Sequence, residues 1–332
     1  MVSNLEGRSA VFSFPFRSVA SVLCVIALPA VAQTFPSKPV RIITPTGAGG
    51  SLDTMARMLA SKYTEIWGQQ AVVENRPGGG GIIGAGAAAK SPPDGYTLLV
   101  ASNGNLATTQ ALYKNVPYDP VRDFSAISLV ASNPYVLVGH PSLPAKTVAD
   151  LIGFAKARPG QINVASSGNG STPHLALELL NSMAGLKMLH VPFKTSSGAL
   201  TSIVSGETSL MFTGVVSALP FSKSGRLRIL ATASDKRISI LPDVQTIAEG
   251  GVKGYEASNW AGVLAPAGTP RSVISLVHTT TIEALKAPET RERFMKQGLE
   301  IVGSTPEHFS DFIKIEIRKW TKVIQDSGAK ID

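Results

Sequence analysis

Cysteine is nearly missing from this 332-residue chain, with Cys24 the only one. A disulfide framework and a thiolate metal site are therefore both excluded. The five histidines (His140, His174, His190, His278, His308) show no H-x-x-x-H or comparable spacing, so no metal and no other cofactor is expected. Charged residues make up only 16% and aromatics 6% of the chain. Lys and Arg are scattered singly, with no basic stripe interleaved with aromatics, which argues against nucleic acid as a partner. A net charge of +8 spread this thinly suits the attraction of small anions instead. Beyond Gln33 no run approaches the roughly 18 uninterrupted apolar residues of a membrane span, so a soluble mature protein is expected. No internal repeat is detectable.

What the chain does have is 44% hydrophobic residues, 31 glycines and 22 prolines, enough core for two domains joined by many short turns. The N-terminus reads as a secretory leader over residues 1–32. Arg8 and Arg17 precede an apolar run from Val19 to Ala32 that ends in Ala30-Val31-Ala32. Cleavage there would remove Cys24 and leave a thiol-free protein in the bacterial periplasm.

From Gln33 onward, short β-type runs alternate with amphipathic helical stretches. Strands are expected at Val40–Thr44, Ala71–Glu74, Thr97–Ala101, Tyr135–Gly139, Ile162–Ala165, Leu189–Pro192, Leu210–Thr213, Leu227–Thr232 and Gly262–Ala265. The Leu52–Trp67 helix carries Leu52, Met55, Ala56, Leu59, Tyr63 and Ile66 on one face and stops at Gly68. Thr269-Pro270 and Thr305-Pro306 read as N-caps followed by proline in the first helical turn. Such alternation predicts an α/β fold with mainly parallel sheets and ligand sites at the strand carboxyl ends.

Three glycine-rich segments are candidates for function. Pro45-Thr46-Gly47-Ala48-Gly49-Gly50-Ser51-Leu52-Asp53 lies between a strand and a helix, where successive backbone N–H groups and the helix dipole can hold an anion. Gly50 is expected there to need close backbone approach and positive φ. In Arg76–Gly84, Gly79, Gly81 and Gly84 satisfy G-x-G-x-x-G. The next strand, however, ends at Ser102-Asn103 without the acidic ribose ligand a dinucleotide requires, so the match reads as chance. Ser166–His174 again joins strand to helix, with Thr172 as the expected N-cap and Pro173 as the first helical residue. Its hydroxyls and backbone suit a carboxylate. A hydrolytic Ser171/His174 pair is the sharper alternative, although no G-x-S-x-G occurs in the chain.

Taken together these segments are more specific than any one alone. With Val73–Gly78, Pro93–Thr97, Pro117–Pro120, His190–Lys194 and Leu264–Pro270, they resemble, in order and spacing, the Bug-type extracytoplasmic solute receptors of tripartite tricarboxylate transporters. The resemblance runs from about Phe35 to Gly328. It implies an α/β, type II periplasmic-binding-protein fold with two α/β domains, a ligand cleft between them and two crossover segments. The crossings fall near Ser132–Val136 and Tyr255–Val263, giving one domain from 33–132 plus 258–332 and another from 133–257.

The same resemblance implies a receptor, not an enzyme, that binds a small mono-, di- or tricarboxylate as a monomer and passes it to membrane permease subunits. A secreted enzyme and a ligand sensor for a signalling system remain the alternatives. The binding residues it implies are Thr46, Gly47, Gly49, Gly50, Asp53 and Ser102 on one side, with Ser167, Gly168, Ser171, His174, Phe193 and Thr213 facing them. Three positions depart from the usual pattern. Thr46 stands in place of an aromatic, Thr195 in place of glycine, and Thr213 in place of an aspartate. Losing that aspartate removes a natural partner for an amino group and points away from amino acids.

Overall fold

The computed structural model describes Gly7 and residues 35–329. The expected leader and Cys24 lie outside the described residues.

In chain order the first stretch comprises β1 (Val40–Thr44), α1 (Ser51–Trp67), β2 (Ala71–Asn75), α2 (Ile82–Ala89), β3 (Thr97–Ser102), α3 (Thr109–Leu112) and β4 (Phe124–Asn133). The middle stretch comprises β5 (Tyr135–Gly139), α4 (Val148–Ala157), β6 (Asn163–Ser166), α5 (Thr172–Ala184), β7 (Leu189–Pro192), α6 (Ser196–Val204), β8 (Leu210–Gly214), α7 (Val215–Lys223) and β9 (Arg228–Thr232). The last comprises β10 (Asn259–Pro266), α8 (Arg271–Lys286), α9 (Pro288–Lys296), β11 (Glu300–Ile301) and α10 (Pro306–Ser327).

The strands form two sheets, ordered β11-β4-β10-β3-β1-β2 and β7-β6-β8-β5-β9. All nine expected strands are present, with ends shifted by at most a few residues. β4 was not expected. Its β-branched Ile127 and Val130 are interrupted by Ser125, Ala126, Ser128, Ala131 and Ser132, which weakens the run as a strand signal. It is nonetheless central, paired on both sides, and Ser128 satisfies its hydroxyl on the Ser304 carbonyl at 2.8 Å.

The expectation of mainly parallel sheets is corrected. β1 is parallel to β2 and β3, but β10 runs antiparallel to both β3 and β4. In the second sheet β6 is parallel to β7 and β8, while β5 runs antiparallel to β8 and β9. The reason is topological. β4 ends at Asn133 in one sheet and β5 begins at Tyr135 in the other, and the chain returns only through β10. Strands entered from the other sheet arrive against the local direction.

The apolar positions explain the layers. Val40, Ile42, Leu98, Val100 and Val263 cover one face of the first sheet with α1 and α8. Val136, Val138, Ala165 and Met211 cover one face of the second sheet with residues of α6 and α7. Between the remaining faces a continuous core includes Leu99, Leu129, Leu137, Leu210, Leu175 and Trp320, so α5 and α10 pack in the layer shared by both sheets.

Helix ends follow the sequence with two corrections. Gly68, Gly185 and Gly328 stop α1, α5 and α10 in the left-handed conformation, and Thr305 caps α10 by accepting the His308 N–H. Thr172 is not a cap but the first residue of α5, with Ser171 before it. Thr269 does not cap α8 either. Its hydroxyl donates to the Pro266 carbonyl at 2.7 Å, and the helix begins at Arg271.

Candidate ligand-binding site

The carboxyl ends of β1, β3 and β4 and the start of β10 surround a cavity of about 220 Å³ beside the N-terminus of α1. Thr46, Gly50, Ser51, Ser102, Asn133 and Asn259 supply its polar lining; Leu52, Met55 and Trp260 supply much of the apolar wall. Among the described residues no Lys, Arg, Asp or Glu lines it. What these residues offer a charge is therefore backbone dipoles, hydroxyls and the Asn133 and Asn259 amides.

The loop before α1 is built around Asp53, which is 2% exposed. Its carboxylate accepts from the Gly49 N–H (2.9 Å), Arg57 Nε (3.0 Å) and Asn75 Nδ2 (2.8 Å). Burial opposes the charge, but the hydrogen bonds from Arg57, Gly49 and Asn75 outweigh it and hold the Asp53 pKa below the ordinary aspartate range. Asp53 thus shapes the loop and does not line the cavity. The expectation for Gly50 is corrected. Its φ is −72°, open to any residue, and a Cβ there would meet only the Gly47 carbonyl at 3.6 Å. Positive φ is needed one residue earlier, at Gly49 (+83°).

The second glycine run is a packing device. Gly78 to Gly81 all have positive φ, and a Cβ on Gly84 would come within 2.6 Å of the Arg76 carbonyl and 2.8 Å of Pro45 Cα. These glycines let α2 press against the end of β1. They also bring the Gly80 carbonyl within reach of Asn105 Nδ2, at 3.1 Å. Asn105 Oδ1 in turn accepts from the Ser102 N–H and hydroxyl, both at 3.1 Å, fixing Ser102 at the cavity rim. Asn105 lies in a π-helical turn over 104–108 that no periodicity in the sequence announced.

The expected partners on the second sheet do not line this cavity. Ser171 reaches a second one, of about 170 Å³, with Asn103, Gly104, Thr108, Leu175 and Trp320 among its walls. Ser102 lines the first cavity and Asn103, next in the chain, lines the second. Asn103 is 2% exposed and its Oδ1 has no partner among the described residues. Sequence reasoning passed over both Asn103 and Trp260, because a lone amide and a lone indole carry no motif.

Ser167 and Gly168 sit in the turn after β6, where Gly168 has a φ of +120°. Phe193 is half-buried against the core of the second sheet, and Thr213 is buried within β8. Ser171 Oγ donates to the Gly168 carbonyl at 2.7 Å, while His174 Nδ1 accepts the Gly170 N–H at 3.0 Å. The two side chains that the hydrolase alternative would pair are each hydrogen-bonded to the loop backbone instead of to each other. His174 stacks on His190 with centroids 3.8 Å apart, and His190 Nε2 lies 2.6 Å from the buried Ser166 hydroxyl. Burial, followed by repulsion from His190, pushes the His174 pKa down to about 4. Burial also lowers that of His190. A neutral His174 is what the Gly170 bond requires, since an imidazolium could not accept it.

Known proteins share this architecture. The chain is 38% identical over 307 residues to protein BugT of Bordetella pertussis, covering 92% of this chain and 94% of BugT. Among solved structures, Rpa4515 of R. palustris with adipate is 35% identical with a TM-score of 0.72, covering 90% of this chain and all of that one. MatC of Rhodopseudomonas palustris with bound malate is 29% identical with a TM-score of 0.69, covering 87% of this chain and all of that one. The two-sheet α/β architecture is accordingly the type II periplasmic-binding-protein fold. Residues 55–329 match the family described as the tripartite tricarboxylate transporter family receptor, and the chain belongs to that family.

Proposed function

We propose that the protein is a periplasmic receptor that captures a small carboxylate beside the N-terminus of α1 and hands it to membrane permease subunits without chemical change. The observation that carries this reading is the cavity itself. It sits at the positive end of a 17-residue helix, lined by neutral hydrogen-bonding groups and by the apolar Leu52, Met55 and Trp260. One carboxylate fits the polar rim, and a short carbon chain fits the wall. The relatives solved with adipate and with malate favour the same ligand class.

In this reading residues 35–132 plus 258–329 form one domain and 133–257 the other. The Ser171 loop meets the far end of the ligand, with Asn103 offering its amide from the first domain. Closure follows because a ligand contacting both loops has more affinity for the closed arrangement than for the open one. The receptor acts as a monomer, and residues 1–32 serve as its leader.

The test is mass spectrometry of whatever the purified protein releases on denaturation, joined to a thermal-shift panel of carboxylates that includes adipate and malate. A carboxylate at about 100 times its Kd stabilises the folded state by roughly 2.7 kcal/mol. A shift with sugars or cations but with no carboxylate would overturn the reading.

A further inference from the structure

Glu316 lies on α10 and is 1% exposed. Its Oε2 accepts from two indoles at once, Trp260 Nε1 at 2.8 Å and Trp320 Nε1 at 2.9 Å. Its Oε1 pairs with Lys319. Lys319 Nζ also holds Glu256, at 2.6 Å on the carboxylate and 3.2 Å on the backbone carbonyl. The charge is thus buried but paired and fully hydrogen-bonded, the condition under which a buried carboxylate is tolerated.

What the two indoles do gives this cluster its meaning. Trp260 forms part of the wall of the cavity beside α1, and Trp320 lines the second cavity, next to Ser171. Glu256 lies in the segment returning from the second sheet to β10. The neighbouring Tyr255 donates its hydroxyl to the Ala176 carbonyl of α5 at 2.8 Å. One carboxylate therefore joins the walls of both cavities and, through Lys319, the chain segment that crosses between the sheets.

The geometry points to Glu316 as a positioning residue for ligand binding, setting the two tryptophan walls and tying them to the crossing. This rests on the receptor reading above. Glutamine has the same shape but cannot replace it. An amide oxygen turned to the indoles aims its NH2 group at the Lys319 ammonium, donor against cation.

The experiment uses full-length protein with 15N-labelled tryptophan. Trp67 serves as the internal control, because its Nε1 donates to a neutral hydroxyl, Thr280 Oγ1 at 2.9 Å. The Trp260 and Trp320 indole protons should lie downfield of that of Trp67. Glu316→Gln should shift both and leave Trp67 in place, and Glu316→Gln/Lys319→Met, which removes the facing cation, should return both towards the wild-type positions. Calorimetry with adipate and malate should show at least a tenfold loss of affinity in Glu316→Gln, with partial recovery in the double variant. Unmoved indole signals overturn the inference whatever the probes do. Equal affinity for a probe in wild type and Glu316→Gln, with both folded, also overturns it. If neither probe binds wild type, the choice of adipate and malate fails, and the same calorimetry is run with the carboxylate released on denaturation, where equal affinity in wild type and Glu316→Gln overturns the inference.

Discussion

Acidification should weaken this protein through one imidazole, and the size of the effect can be worked from its surroundings. His174 is 7% exposed, stacked on His190, and accepts the Gly170 N–H on Nδ1; Glu178 stands 3.8 Å from its Nε2. Its pKa falls from 6.5 to about 4 on folding. Between those values the unfolded chain binds a proton that the native state refuses, so stability falls as pH drops through this window. At about 1.36 kcal/mol per pH unit the loss reaches about 3 kcal/mol. At about 2–4 °C per kcal/mol this lowers Tm by roughly 6–12 °C.

His174→Asn keeps an acceptor near the position of Nδ1 and cannot be protonated. Circular dichroism melts of both proteins from pH 7.5 to 4 should show a gap that closes as pH falls. The lowered His190 pKa acts in the same direction in both proteins and leaves a common residual slope, whereas the lowered Asp53 pKa costs stability only below this window. Parallel curves for the two proteins across the whole window would refute the assignment. Because His174 holds the loop that presents Ser171, ligand affinity should weaken over the same range in wild type and less so in the variant.

Three further outcomes follow from the geometry. Asp53→Ala strips a buried carboxylate from the Gly49 N–H, Asn75 and the half-exposed Arg57, and should cost about 2 kcal/mol through its lost charge-assisted hydrogen bonds; urea unfolding showing no loss would contradict it. Gly50→Val, at a φ of −72° with no close neighbour, should leave Tm within a few degrees while its side chain enters the cavity. Affinity for any carboxylate found by the panel should then fall more than tenfold, or about 1.4 kcal/mol, by calorimetry. Thr305→Ala removes the cap that receives the His308 N–H and should lower stability by about 1 kcal/mol in urea, with binding unchanged.

By itself the sequence determined the local elements and the loops that matter. Short β-type runs and a period-3.6 pattern placed the nine expected strands and the Leu52–Trp67 helix, because central strands are buried on both faces and an amphipathic helix on one. Glycine after a strand and before a helix marked the Thr46–Gly50 turn for the same local reason, since oriented N–H groups are set by backbone alone. Only tertiary structure decided the rest. β4 mixes Ile127 and Val130 with serines and alanines, and it is its pairing with β10 and β11 that settles it as a strand. Asp53 looked like a ligand contact from its place in the loop, yet it is occupied by Arg57 and by Asn75, 22 residues further along. Trp320 lies one helical turn from Glu316, but Trp260, 56 residues before it, reaches the same carboxylate only because α10 packs between the sheets. Such contacts depend on how elements stack in space, and no spacing along the chain encodes them.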